Sequence, residues 1–178
     1  MAGKSVALRP IEKKDLEVLN RWKNNEEVYM FLGGGYQPIS PDQQEKWLDS
    51  MIDQTGSNRR FMVIVNDRAV GMVGLYDINW IHRTCEIGAF IGETTARGKG
   101  YASEACILLE QYAGNYLNLR KINLKVVTDN KKGVAMWSKL GYTVAGKLKL
   151  ERYIKGKYHD LTLMEKFLET RGGIGISD

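Results

Sequence analysis

The sequence predicts an α/β domain of the α+β kind, built as three layers around a mixed central sheet of about six or seven strands with helices on both faces. Three observations predict it. Strand-like apolar runs in the first half are joined by hairpin signals. A strand–helix–strand crossover occupies the second half. The length, 178 residues, suits one domain. Hairpins make antiparallel neighbours and a crossover makes a parallel pair, so the sheet is mixed.

The elements follow in order. Val6-Ala7-Leu8-Arg9-Pro10 reads as a short strand ended by proline. Over residues 15–25, Leu16, Leu19 and Trp22 share one helical face. Gly33-Gly34-Gly35-Tyr36-Gln37-Pro38-Ile39 is a soft segment, read either as a mobile loop over a site or as a plain connection. A second helix starts at Ser40 as N-cap, with Pro41 in the first helical position, and runs through Trp47, Leu48 and Met51. Residues 60–65 and 69–78 form a hairpin about Asn66-Asp67-Arg68, and Gly71 and Gly74 mark bulges or close backbone approach. Residues 85–91 make the next strand. Residues 100–117 form the strongest helix, since Ala102, Ala105, Leu109, Tyr112 and Tyr116 recur at helical spacing. Residues 122–127 alternate as a strand, and 130–140 form a short helix stopped by Gly141. Residues 142–150 and 158–164 close the order as a hairpin around Lys155-Gly156-Lys157. Residues 1–170 are expected to be the domain and 171–178 a flexible tail.

Composition narrows the function. Apolar residues make up 43% and charged residues 26%, as in soluble globular proteins. No run approaches the ~20 apolar residues a membrane helix needs. Met1-Ala2-Gly3-Lys4-Ser5 leads straight into an apolar alternation without a signal-peptide core, so a cytoplasmic protein is expected. Cys85 and Cys106 lie in a strand and on an apolar helix face, with no pairing or metal-binding spacing; buried thiols and no metal are expected. The net charge of +5 suits an anionic, nucleotide-containing ligand. The basic residues are scattered, which argues against nucleic acid.

The chemistry concentrates where the strand ending at Gly92 passes through a glycine-rich turn into the long helix. Helix N-termini present unpaired N–H groups and bind phosphates. Gly98 and Gly100 clear side chains from such an approach, and Arg97 and Lys99 add positive charge. Three readings stand: a tight turn alone; a dinucleotide site, which lacks its third glycine and an acidic partner; and a coenzyme A pyrophosphate loop. Arg97-Gly98-Lys99-Gly100-Tyr101-Ala102 fits the last pattern, R/Q-x-x-G-x-G/A, at every specified position.

From about Val6 to Met164 the chain resembles the GNAT superfamily of N-acetyltransferases. Besides the loop, residues 130–142 are similar to the family's N-x-x-A-x-x-x-Y-x-K-x-G-F helix. Leu8-Arg9-Pro10, Arg21-Trp22-Lys23-Asn24 and Ile78-Asn79-Trp80-Ile81-His82-Arg83 resemble the branch holding ribosomal-protein N-terminal and spermidine acetyltransferases. The resemblance implies acetyl transfer from acetyl-CoA to an amine of a small molecule or a peptide N-terminus. It implies that amides from Gly98 through Lys99, Gly100 and Tyr101 to Ala102 hold the pyrophosphate. It implies that the strand edge at Ile87, Ala89, Phe90 and Ile91 pairs with the pantetheine arm, with Asn130 beside it. The amine would enter between the first helices and the final hairpin. A homodimer through that hairpin is left open.

The amine must be neutral to attack, so a base is needed. Glu86 is the preferred one, because an apolar strand would tune a carboxyl toward that task; a plain strand-face charge is the competing reading. Asp77 and His82 stand behind it. The family's acid is a tyrosine where this chain has Trp137, and an indole donates a hydrogen bond but not a proton. Tyr142 or a water then assists the thiolate, and Trp137 becomes a wall beside the thioester. A catalytically silent coenzyme A-binding module is the alternative. Glu26, Glu27, Asp42 and Glu45 are candidates for an acidic acceptor site, or for solvated helix faces.

Overall fold

The computed structural model describes residues 1–168; the tail 171–178 lies outside the described residues. Strands β1 (Ala7–Pro10), β2 (Arg59–Val65), β3 (Arg68–Asn79), β4 (Thr84–Ile91), β5 (Lys121–Val127), β6 (Thr143–Ile154) and β7 (Lys157–Phe167) form one seven-stranded sheet. Its order is β1-β2-β3-β4-β5-β7-β6. All neighbours are antiparallel except β4 and β5, which are parallel. The mixed sheet is the one expected. Helices α1 (Leu16–Lys23), α2 (Glu26–Tyr29) and α3 (Pro41–Ile52) cover one face, and α4 (Tyr101–Asn115) and α5 (Lys131–Lys139) cover the other.

The period-two alternation sorts side chains between the faces. In β3, Met72 joins Leu19, Trp22, Leu48 and Met62 in the α1–α3 core. Its neighbour Val73 joins Ile87, Cys106, Leu109, Ile122 and Leu124 in the α4–α5 core. Each such aliphatic side chain stabilises the fold by roughly 1.5–3 kcal/mol. Cys85 and Cys106 are buried free thiols, and burial, with Glu86 nearby, pushes Cys85 up to about 12.

Two turns meet their sequence signals. Asn66 and Asp67 both have positive φ, 48° and 60°, as do Lys155 and Gly156 at 48° and 83°. That is the two-residue hairpin geometry that follows strand twist. The sequence reading missed α2, a single turn in which Asn25 caps Glu27 through its side chain. It also ended β6 four residues early, at Leu150, which sits at φ 52° beside a register shift.

One feature of the sheet shapes everything near it. β4 stays paired with β3 from Glu86 to Ile91, and β5 stays paired with β7 from Lys121 to Val127. Yet β4 meets β5 only at Thr84, Cys85 and Glu86. Beyond Glu86 the two strands diverge, and the β5-facing edge of β4 is left without a strand partner. Trp22 locks the far end of β4: its indole donates to Glu93 at 2.8 Å, and a Cβ on Gly92 would lie 2.3 Å from the ring. Gly92→Ala is therefore expected to lower stability by about 1–3 kcal/mol, read as a lower midpoint in urea. An unchanged midpoint would show that Trp22 can retreat.

Candidate active site

The site starts from backbone groups. α3 begins with Ser40 accepting from the Gln43 amide at 3.1 Å, and α5 with Asn130 accepting from the Gly133 amide at 3.0 Å. α4, the longest helix, begins at Gly100 with no side-chain cap. Its first-turn amides therefore point outward unsatisfied, at the positive end of the helix dipole. Gly98 and Gly100 hold φ of 75° and 83°, where other residues are strained. A Cβ on either would meet no atom within 4 Å, so the space in front of this helix end is open. Lys99 is exposed between them. Arg97 points elsewhere: its Nε donates to the Ile91 carbonyl at 3.2 Å and its Nη1 lies 3.7 Å from Glu27.

Where β4 and β5 part, a cleft of about 600 Å³ passes through the sheet. On the α4–α5 side it is lined by Ile87, Ala89, Leu124, Val126, Asn130 and Trp137. On the other side it meets Tyr29, Met72, Phe90, Glu86, Lys125, Arg152 and the loop at 31–34. The cleft thus joins the open β4 edge to the space beneath the first helices. The soft segment does border it, with Arg152 donating to the Leu32 carbonyl at 2.6 Å.

Glu86 lies at the apex, on the α1–α3 side. It is not sunk in apolar surroundings as expected. Its side chain keeps 35% exposure and accepts an ion pair from Lys125 Nζ at 3.0 Å. The apolar neighbours Cys85 and Ile87 point to the opposite face. Asp77 also borders the cleft, at a positive-φ bulge of 49° where its amide donates to Asn58 Oδ1 at 3.2 Å. His82 does not line the cleft; it sits on the exposed turn between β3 and β4.

Tyr142 needs correction. Its hydroxyl is buried without a hydrogen-bond partner, on the α4–α5 side near Glu110, Cys106 and Cys85. Burial first, then the Glu110 charge, push its pKa far above the usual phenol range. It reaches the site only through its ring, which meets Trp137 edge to face at 5.2 Å. A hydroxyl placed there cannot donate a proton into the cleft. Trp137 itself lines the cleft.

Several cleft residues were not singled out from the sequence. Tyr76 lies over Gly74 and Gly88, where an added Cβ would come within 2.8 Å of its hydroxyl and 3.2 Å of its ring. Burial raises its pKa, and nearby Arg60 opposes the shift. Tyr29 is pushed up to about 12, by burial and then by Tyr76. The signal that could have found Tyr76 is the glycine at each flanking position of the same sheet face. Of the four proposed acidic residues, Glu26 pairs with Lys155 at 3.1 Å and Glu27 with Arg97, while Asp42 and Glu45 do not border the cleft. The cleft has carboxylates at Glu86 and Asp77 and cations at Lys125 and Arg152.

Comparison with known proteins agrees with this architecture. Residues 5–143 match the acetyltransferase (GNAT) domain family. The chain is 33% identical over 160 residues to spermidine N(1)-acetyltransferase of Escherichia coli K12, covering 90% of this chain and 84% of that one. It is 26% identical over 163 residues to a putative ribosomal N-acetyltransferase of Bacillus subtilis, covering 88% and 87%. The crystal structure of Vibrio cholerae spermidine N-acetyltransferase in complex with CoA and spermine superposes with a TM-score of 0.85 at 30% identity, covering 93% and 97%. The silent-module alternative gains no support from these relatives.

The left-handed glycines generate a direct test. Gly98→Ala with Gly100→Ala places two side chains in a conformation unfavourable by roughly 1–2 kcal/mol each. The double variant is expected to keep its circular dichroism spectrum and to bind CoA at least about tenfold more weakly by calorimetry. Undiminished affinity would remove this loop from the binding site.

Proposed function

The chain belongs to the GNAT acetyltransferase family and is an acetyl-CoA-dependent N-acetyltransferase, and from that premise we propose which of its residues carry the transfer. The amides from Gly98 to Ala102, in the glycine turn and the start of α4, hold the pyrophosphate. The β4 edge from Ile87 through Ala89 and Phe90 to Ile91 takes the pantetheine arm as a further strand would. Asn130 spends its Oδ1 on capping α5, which leaves its amide nitrogen to donate toward that arm. The pyrophosphate end lies beyond Ile91 and the strands meet at Glu86, so the arm runs back toward the apex and presents the thioester there. The observation that carries this reading is the divergence of β4 from β5 directly ahead of the uncapped helix.

At the apex, Glu86 takes the proton from the attacking amine, directly or through a water. A backbone amide near Ala89 stabilises the oxyanion. Trp137 walls the thioester side and excludes water. Proton supply to the thiolate falls to solvent, since Tyr142 is enclosed in the core. The acceptor is a primary amine of a small molecule or of a peptide N-terminus, arriving beneath the loop at 31–34. Support for that side comes from the mixed polar lining of Glu86, Asp77 and Arg152, and from relatives named for spermidine and ribosomal substrates. A homodimer through the β6–β7 hairpin belongs to the same proposal. What supports it is the exposed apolar series Val144, Leu150, Tyr153 and Tyr158 on the outermost strand pair.

Thiol release from acetyl-CoA, measured across a panel of amines, tests the roles together. Glu86→Gln is expected to lower kcat by about 10²–10⁴-fold, with little change in the KM for acetyl-CoA. Trp137→Phe is expected to alter kcat little. Parent-like turnover by Glu86→Gln would take Glu86 out of the mechanism.

A further inference from the structure

A primary amine belonging to the chain already stands where the acceptor is expected. Lys125 lies two residues beyond Asn123, the β5 residue paired with Glu86, so its side chain emerges on the same face just past the point of divergence. It lines the cleft, and its Nζ sits 3.0 Å from Glu86 Oε2. Its side chain is 48% exposed, so the ammonium is neither buried nor walled off from the apex. An acceptor ammonium must satisfy the same three conditions: it sits at the apex, it touches the base, and it can move a short way toward the thioester.

We propose that Lys125 is itself an acetyl acceptor, modified by the enzyme's own chemistry when no free amine is present. This rests on the proposed thioester position at the apex. One proton of the ammonium passes to Glu86, and the neutral Nζ attacks the thioester carbonyl carbon. The C–N bond forms and the C–S bond breaks. The second proton, released from the adduct, reaches the departing thiolate through solvent, and the products are acetyl-Lys125 and coenzyme A. The acetylated side chain has no charge to pair with Glu86 and occupies the acceptor's place. The modification therefore slows transfer to free amines, and it accumulates when acetyl-CoA outlasts the acceptor. A bound amine competes for Glu86 and displaces Lys125, so it protects against modification.

Incubation of the full chain with acetyl-CoA alone, followed by peptide mass spectrometry, tests this. The expected result is a single dominant acetyl group on the peptide containing Lys125. It should disappear in Lys125→Arg, form at least about tenfold more slowly in Glu86→Gln, and be suppressed by an amine that is turned over. Acetyl groups spread over exposed lysines such as Lys99, Lys131 and Lys132, at a rate indifferent to Glu86→Gln, would overturn it. So would unmodified Lys125 in an enzyme that releases thiol with an added amine, and that outcome leaves the proposed function intact. If neither thiol release nor modification occurs, both fall together.

Discussion

Two parallel strands that begin as partners and then separate impose the main constraint on this molecule. An unpaired strand edge in a sheet interior is costly, because backbone N–H and C=O groups there lose both water and a partner. The fold tolerates it because β3 and β7 hold the outer sides of β4 and β5, and because the gap opens into a cleft that admits solvent or a ligand. The α4–α5 and α1–α3 cores pack against the two faces of the sheet, so both banks of the wedge are supported. An extended molecule bearing amides is the natural partner for such an edge, and the pantetheine arm is one.

The glycine turn completes the arrangement by placing a bare helix end in line with that edge. Helices α2, α3 and α5 are capped by the side chains of Asn25, Ser40 and Asn130; α1 and α4 are not, and of those two only α4 starts at a glycine in the left-handed region. Exceptions to local rules concentrate at functional positions, where stability is given up for binding. Glu86 and Lys125 pair across the opening, so neither charge at the apex of the cleft is isolated.

How much of this was legible depended on where the signal resides. The seven strands could be read because their apolar alternation or turn residues survive in one dimension. Helix α2 could not, since one turn has no period, and the end of β6 could not, since its side chains are mostly solvated. The glycine turn is legible because the positive φ at Gly98 and Gly100 favours glycine. Glu86 lies on the strand that the sequence predicts, but in different surroundings. Its sequence neighbours Cys85 and Ile87 are apolar, yet alternation sends them to the opposite face, and its true partner Lys125 is distant in sequence. A motif in the sequence ties Tyr142 to the site, and only packing reveals that its hydroxyl turns into the core. Lys125, Tyr76 and Arg152 carry no motif, and their roles arise from register and from the loop they face.

The proposed transfer requires a coenzyme A molecule laid along β4 with its pyrophosphate at the start of α4. Hydrogen–deuterium exchange of the full chain, with and without coenzyme A, reads both segments at once. Slowed exchange at residues 87–91 together with residues 98–102 is the predicted result. Binding that leaves those amides exchanging as freely as before, with protection confined to other parts of the chain, would contradict it.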